Sequence, residues 1–270
     1  SLQHRVLRRG AVSMKTKRRE PEARKLLKGI RKYSRQVAES TVDLLYPPKC
    51  PFCEEILTEH EKQDLVCGLC RGRLQYIGND HCMKCGRPLL AEQEEYCRDC
   101  GKKQHFFTQG KSVFVYCTPV KQSLFRMKNS NRQEYARFYA EVMYQNFGRW
   151  IENSRIDVIL PIPMYPAQKR IRGFNQAELL AVKLGKMTGI TVARHLLVKG
   201  KDTHAQKSLD AKGRAENLKD AFEVKYRFDG ERVLLVDDIY TTGATVDAAA
   251  KVLLQAGAGG IYFQLAERLS

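Results

Sequence analysis

The stretch VLLVDDIYTTGAT, residues 233–245, passes from an apolar strand straight into two acids and then into a loop of threonines and glycine. Arg232-Val-Leu-Leu-Val236 has the near-continuous apolar character of a central strand in a parallel sheet. In such sheets ligands sit beyond the carboxyl ends of the strands, and Asp237 and Asp238 lie at that end. Tyr240, Thr241, Thr242, Gly243, Ala244 and Thr245 follow, and the pattern over 243–256 predicts a helix. A helix start preceded by glycine and hydroxyl residues suits a phosphate: unpaired N–H groups and the macrodipole face the anion, and threonine hydroxyls add donors. Two carboxylates beside that cradle would repel the phosphate. They suit the vicinal hydroxyls of a sugar, or a bridging Mg²⁺. The stretch therefore reads as a ribose-5-phosphate site, with the acids on the 2′- and 3′-hydroxyls and the loop on the 5′-phosphate. The plain alternative is a capped turn with no ligand. Phospho-acceptor receiver domains also carry acids after a strand, but early in the domain, whereas this pair comes near the C-terminal end.

Around this stretch, strands are expected at 112–117, 156–161, 191–193, 220–224, 232–237 and 260–265, and helices at 119–128, 132–149, 175–188 and 243–256. That alternation argues for an α/β fold with a parallel sheet flanked by helices. The polar stretch 199–219 reads as a mobile loop or a short exposed helix. Three parts emerge: a basic extension with an amphipathic helix (1–46), a cysteine-rich segment (47–105) and the α/β domain (110–270).

Eight of the nine cysteines form four CxxC pairs: Cys50 and Cys53, Cys67 and Cys70, Cys82 and Cys85, Cys97 and Cys100, separated by 13, 11 and 11 residues. A CxxC turn lets two sulfurs converge on one metal, and a second turn returned by a hairpin completes a four-thiolate zinc site. Four thiolates leave no open position for substrate, so two structural Zn²⁺ ions are expected. A segment this short needs such staples to hold a core. Consecutive pairs sharing a metal is the simplest assignment, and an interleaved one stays open. A disulfide framework would need export, which nothing suggests; an iron–sulfur cluster fits regular twin pairs less well. Gly86 and Gly101, each following a second cysteine, are expected to let the chain curl with positive φ. Cys117 is expected to be a buried free thiol.

The 270-residue chain carries a formal charge of +17, of which residues 1–40 supply +10. Two filled zinc–thiolate sites would lower the total to +13. This balance favours polyanions, nucleic acid before anionic membrane. No apolar run approaches the ~20 residues of a membrane span, and no signal-peptide pattern is seen, so a cytoplasmic protein is expected. Met14 is the first methionine, and residues 1–13 are assigned no fold.

The stretch 233–245 resembles the phosphoribosyl-pyrophosphate (PRPP) signature of type I phosphoribosyltransferases. Leu160-Pro-Ile-Pro163, Lys169-Arg-Ile-Arg-Gly-Phe-Asn-Gln176, Thr203-His-Ala-Gln206, Arg214, Asn217-Leu-Lys-Asp-Ala-Phe222 and the double zinc ribbon entered by Leu44-Leu-Tyr-Pro-Pro-Lys-Cys50 narrow the resemblance to the ComF family of late-competence proteins, over roughly residues 41–267. The resemblance implies a phosphoribosyltransferase-like fold, PRPP or a nucleotide as ligand with Mg²⁺, and competence helicase or recombination proteins as partners. Arg170 and Arg172, on a loop with Lys169, are then expected to face the pyrophosphate or a nucleic-acid backbone; a solvated basic loop is the alternative. Arg214 is expected to close over the site with Asn217 as a lid, and His204 to be exposed. Asn175 and Gln176 either cap the helix after that loop or touch ligand. Lys121, Arg126, Lys128, Arg132 and Arg137 interleave with Phe125, Tyr135, Phe138 and Tyr139, a pattern that suits single strands, although such aromatics more commonly build a core. Nucleic-acid contacts are assigned to Lys128, Lys169, Arg170 and Arg172. Two functions follow: a competence protein that binds single-stranded DNA, or an active phosphoribosyltransferase with Asp237 and Asp238 as catalytic acids. A PRPP sensor gating DNA binding is a third.

Overall fold

The computed structural model describes residues 46–89, 94–200, 221–240 and 242–268. Short helices α1 (Glu59–Asp64), α2 (Gly68–Arg71) and α3 (Arg98–Lys102) belong to the cysteine-rich segment. Strand β1 (Gln109–Val115) leads to α4 (Thr118–Asn129) and α5 (Ala136–Asn153). Strand β2 (Val158–Pro161) leads through α6 (Pro166–Arg172) and α7 (Gln176–Thr188) to β3 (Thr191–Val192). A small antiparallel pair, β4 (Leu197–Lys199) and β5 (Phe222–Val224), precedes β6 (Arg232–Tyr240), α8 (Ala244–Gln255) and β7 (Gly260–Arg268).

The main sheet is parallel throughout, in the order β1-β7-β6-β2-β3. Strand β6 explains the burial on both faces. Leu234 and Val236 join one core with α5 and α7, while Val233 and Leu235 join the other with α8, as side chains alternating across a strand must. The connection from β2 runs outward to β3, and that from β6 runs the opposite way to β7. A crevice therefore opens between the carboxyl ends of β2 and β6, the switch point where open α/β sheets bind ligands.

The two ribbons pack on opposite faces of this sheet. Cys50 and Phe52 join the core of α5, with Phe52 set edge-on to Phe138 at 5.2 Å. Cys82, Cys85 and Cys97 join the core of α8, beside Phe107 and Phe263. Between them Gln75 and Ile77 hydrogen-bond to Val115 and Val113, covering the β1 edge, which would otherwise expose unpaired backbone groups. The second ribbon's exit is fastened to α8, where Asp247 accepts from the Phe106 N–H at 2.8 Å. Residues 48–270 thus form one compact unit.

Three expectations change. Gly86 takes φ of 73°, and a Cβ there would sit 2.8 Å from the Gly110 carbonyl oxygen, but Gly101 lies inside α3 with no such φ. In the first ribbon the left-handed position after Cys53 is Glu54, with φ of 66°. Cys117 is half-buried rather than buried, because it forms the N-cap of α4 where the chain leaves the sheet. The basic cluster 169–172 stands on α6, a helix begun by Pro166 and ended by Gly173 in the left-handed conformation, rather than on a loop. The amphipathic segment before residue 46 and the polar stretch from 201 to 220 lie outside the described residues.

Candidate ribose-phosphate site and zinc ribbons

Register places Asp237 and Asp238 one and two steps past the last β2–β6 pair, Pro161 with Val236. Asp238 is only 3% exposed. Its carboxylate is held from two sides: Lys128, at the end of α4, forms an ion pair with Oδ2, and Gln176 Nε2 donates to Oδ1 at 3.2 Å. Gln176 Oε1 in turn accepts from Arg172 Nη1 at 2.8 Å. Asn175 caps α7, accepting from the Ala177 N–H at 3.0 Å, and its own amide donates to the Ile162 carbonyl at 2.9 Å. The two residues therefore divide the roles left open by the sequence: Asn175 caps, and Gln176 reaches the acid pair.

Asp237 Oδ1 accepts from the Asp238 N–H at 2.9 Å. Burial, then the neighbouring Asp238 charge, pushes the Asp237 carboxyl well above the usual range. Among the described residues, no side chain caps the cradle beyond it. Gly243 is the N-cap of α8, with φ of 76° and no side-chain cap, and Thr242 Oγ1 accepts from the Ala244 N–H at 3.4 Å. Gly243 is required there twice over: a Cβ would lie in the left-handed region and 1.8 Å from the Tyr240 hydroxyl. Thr245 stands in the first turn, and Thr241 lies outside the described residues.

Tyr240, one of the expected phosphate contacts, stands beneath the loop. Its ring is buried, stacked on Phe263 at 5.3 Å, with the Arg268 guanidinium 3.8 Å from its centre. Alternation along β6 breaks here: Ile239 packs with Leu234 and Val236, and Tyr240 turns to the face of Val233 and Leu235. Lys169 pairs with Glu178 at 3.2 Å, and Arg170 is exposed on α6. Arg214, Asn217 and His204 lie outside the described residues.

The basic–aromatic set divides. Tyr135, Phe138 and Tyr139 are core, whereas Phe125 is exposed. Arg126 and Arg132 hold Glu54 of the first ribbon at 3.3 and 3.2 Å, and Arg126 also donates to the Phe52 carbonyl. These cations fasten the ribbon to the α/β domain, while Lys128 reaches the acid pair.

Glu267, which was not anticipated, is fully buried on β7, and neither carboxyl oxygen has a well-formed hydrogen bond among the described residues. Burial first, then Asp238, pushes it up to about 7 against the pull of Lys128. The unfolded chain releases this proton near 4.5, so between these values the folded state binds more protons and stability falls as pH rises. The loss amounts to ~3 kcal/mol across that window. Glu267→Gln is expected to remove it, so that urea melts at about pH 5.5 and about pH 8 differ less in the variant than in the wild type. An unchanged difference would contradict the assignment.

The cysteines fall into two groups, Cys50, Cys53, Cys67 and Cys70, and Cys82, Cys85, Cys97 and Cys100, each with its sulfurs within 4.8 Å of one another. Sequential pairing holds. The sulfurs of Cys53 and Cys67, and of Cys85 and Cys97, are 3.7 Å apart. Tetrahedral Zn–S bonds of about 2.3 Å separate sulfurs by about 3.8 Å, whereas a disulfide needs about 2.05 Å. The residues fit zinc. Arg268, fully buried, donates from Nη2 to Cys85 Sγ at 3.2 Å and also contacts the Cys85 carbonyl. It therefore joins the second ribbon to Tyr240 and the loop.

A parallel sheet with an acid pair at its switch point, preceded by two four-cysteine ribbons, defines an α/β protein with a double zinc ribbon. Comparison narrows the class. The double zinc ribbon domain family matches residues 41–101. Competence protein F of Haemophilus influenzae is 30% identical over 211 residues, covering 71% of this chain and 91% of that protein. Competence protein ComFC of Bacillus subtilis is 31% identical over 201 residues, 71% of this chain and 79% of that protein. The solved structure of an adenine phosphoribosyltransferase aligns with 55% of this chain and 76% of its own at 17% identity and a TM-score of 0.36, a likeness too slight to carry an argument. The chain belongs to the ComF family. No helix among the described residues is long and apolar enough to cross a membrane.

Proposed function

We propose that this chain handles DNA in natural competence, binding single-stranded DNA in the cytoplasm with a ribose-phosphate site of the PRPP type. The observation that carries the reading is the start of α8, uncapped by any side chain among the described residues, beyond Asp237 and Asp238 at the β2–β6 crevice. Asp237 and Asp238 accept from the sugar hydroxyls, and the first-turn N–H groups with Thr242 and Thr245 receive the 5′-phosphate. Lys128 reaches Asp238 directly and Arg172 reaches it through Gln176, and with Arg170 they are the cations we assign to further phosphates. The names of the relatives, competence proteins in two organisms, support a DNA-linked role, and reduced zinc thiolates suit a reducing compartment.

Fluorescence anisotropy of a labelled oligonucleotide tests the reading. Affinity is expected to fall with salt at a slope of about −0.7 per neutralised phosphate, and PRPP–Mg²⁺ is expected to displace the strand. A flat salt dependence would count against it.

An active phosphoribosyltransferase is the second reading, favoured by the intact acid pair and the glycine at the N-cap of α8. A nitrogen nucleophile would bond to C1′ as the C1′–O bond breaks and pyrophosphate leaves, with the nitrogen's proton passing to a base. Asp237 and Asp238 would favour the cationic sugar, and Mg²⁺ with arginine would hold the leaving group. Failure of every nucleobase or amine donor to release pyrophosphate would remove this reading.

A further inference from the structure

Arg268, at the end of β7, is fully buried, and among the described residues no carboxylate pairs with it. A guanidinium taken out of water needs a compensating anion. Its partners come from the second ribbon and from the neighbouring strand. Nη2 donates to Cys85 Sγ at 3.2 Å, Nη1 donates to the Cys85 carbonyl, and the guanidinium carbon lies 3.8 Å from the centre of the Tyr240 ring. Four thiolates around one Zn²⁺ carry a net charge of about −2, so the zinc–thiolate cluster is the anion that this arginine faces. Tyr240 and Arg268 are register partners across β6 and β7, which keeps ring and guanidinium together.

The contacts continue from Tyr240 into the loop. The ring is stacked on Phe263 at 5.3 Å, and the hydroxyl lies beneath Gly243, where a Cβ would come within 1.8 Å of it. Gly243 is the N-cap of α8. A line of packed groups therefore runs from a zinc-binding sulfur through Arg268 and Tyr240 to the helix start. Among the described residues the first ribbon has no equivalent: Arg126 reaches the Phe52 carbonyl and Glu54, not a sulfur. The second ribbon's other tie to α8, between Asp247 and the Phe106 N–H, lies in the chain beyond its last cysteine.

We propose that Arg268 is a positioning residue that couples the second zinc site to the ribose-phosphate loop, so that a phosphate at the start of α8 and the zinc each tighten the binding of the other. The inference rests on the ribose-phosphate reading of the β2–β6 crevice. An anion seated at the loop holds Gly243 down on Tyr240, and Tyr240 holds the guanidinium with its N–H groups towards sulfur. Loss of the zinc changes the charge and geometry that the guanidinium faces, and the support beneath the loop shifts with it. Such coupling is reciprocal between two ligands. Outer-shell donors commonly contribute about 10–100-fold to metal affinity, so the sulfur end of the line is strong enough to be felt at the loop.

The test is equilibrium competition for zinc between a chelator and the zinc-loaded full chain, with and without saturating PRPP–Mg²⁺. Freed cysteines are alkylated and mapped, which tells the two ribbons apart. With ligand, the second ribbon is expected to hold zinc about five-fold or more tightly, the lower end of typical coupling, and the first to change by less than about two-fold. Arg268→Gln is expected to hold the second zinc about ten-fold more weakly and to lose the ligand effect. Zinc drawn off by the ligand itself would appear in both ribbons and in both proteins, and so cancels. Because Arg268 is fully buried and its replacement can disturb folding, Tyr240→Phe provides the second variant. It keeps the ring between Phe263 and Arg268 but loses the hydroxyl beneath Gly243. Its zinc affinity should stay near that of the wild type while the ligand effect falls below about two-fold. Equal tightening of both ribbons, no tightening with ligand bound, or a full ligand effect in either variant would overturn the coupling and leave the ribose-phosphate reading standing. If PRPP–Mg²⁺ does not bind the wild type, that reading falls instead, and hydrogen exchange decides the link: faster exchange at amides 242–247 in Arg268→Gln than in the wild type keeps it, and equal exchange removes it.

Discussion

Replacing Cys82 and Cys85 by serine is expected to halve the zinc content, from two ions to one per chain, and to destabilise the whole 48–270 unit rather than the ribbon alone. The second ribbon is part of the core: Cys82, Cys85 and Cys97 pack with Phe107 and Phe263. A structural zinc contributes about 10–16 kcal/mol to the segment it folds, more than the ~5–15 kcal/mol by which a typical domain is stable. Without it the sulfur partner of Arg268 is lost, and a buried guanidinium loses part of its compensation. Tyr240 then loses a fixed neighbour directly beneath the loop. The check is metal analysis with thermal melts of wild type, of this variant and of Cys50→Ser with Cys53→Ser. Each variant should retain about one zinc and melt well below the wild type. A wild-type melt in either would contradict the packing account, and a wild type without zinc would contradict the ribbons themselves.

The second large effect is expected at Lys128. Its ammonium is the cation paired with Asp238, where Asp237 and Glu267 also bring carboxyls. Breaking a buried pair by removing one partner costs about 3–5 kcal/mol. The cost here falls toward the lower end, because the Lys128 side chain remains 21% exposed. Lys128→Met should therefore destabilise by about 3 kcal/mol, and more at high pH, where Glu267 loses the proton it holds up to about 7. Adding Glu267→Gln should restore part of the loss, because one of the crowded carboxyls is removed. Denaturant melts of the two single variants and the double variant form the cycle. Strict additivity would mean that Lys128 and Glu267 do not share a field.

The strand, the acid pair and the ribbons were legible because each is written in contiguous residues. Val233–Val236 carries burial on both faces, Gly243 carries the left-handed turn, and the CxxC spacings carry the metal geometry. The partners of the acids were not legible in this way. Lys128 and Asp238 are far apart in the chain, and nothing local distinguishes Lys128 from Arg126 or Arg132, which turn instead to Glu54. Strict alternation assigns Tyr240 to the wrong face, because the end of β6 departs from it between Asp237 and Ile239. Glu267 and Arg268 left one usable signal: two adjacent charges closing a mostly apolar strand, one buried beside the acids and the other beside a cysteine ligand.

The most direct test of the account is calorimetric titration of PRPP–Mg²⁺ into the zinc-loaded full chain, beside a variant carrying Asp237→Asn and Asp238→Asn. Saturable binding to the wild type that weakens by about 100-fold or more in the variant, the loss of some 3 kcal/mol, is the predicted result. No binding to the wild type, or equal binding to both, would mean that the β2–β6 crevice is not a ribose-phosphate site.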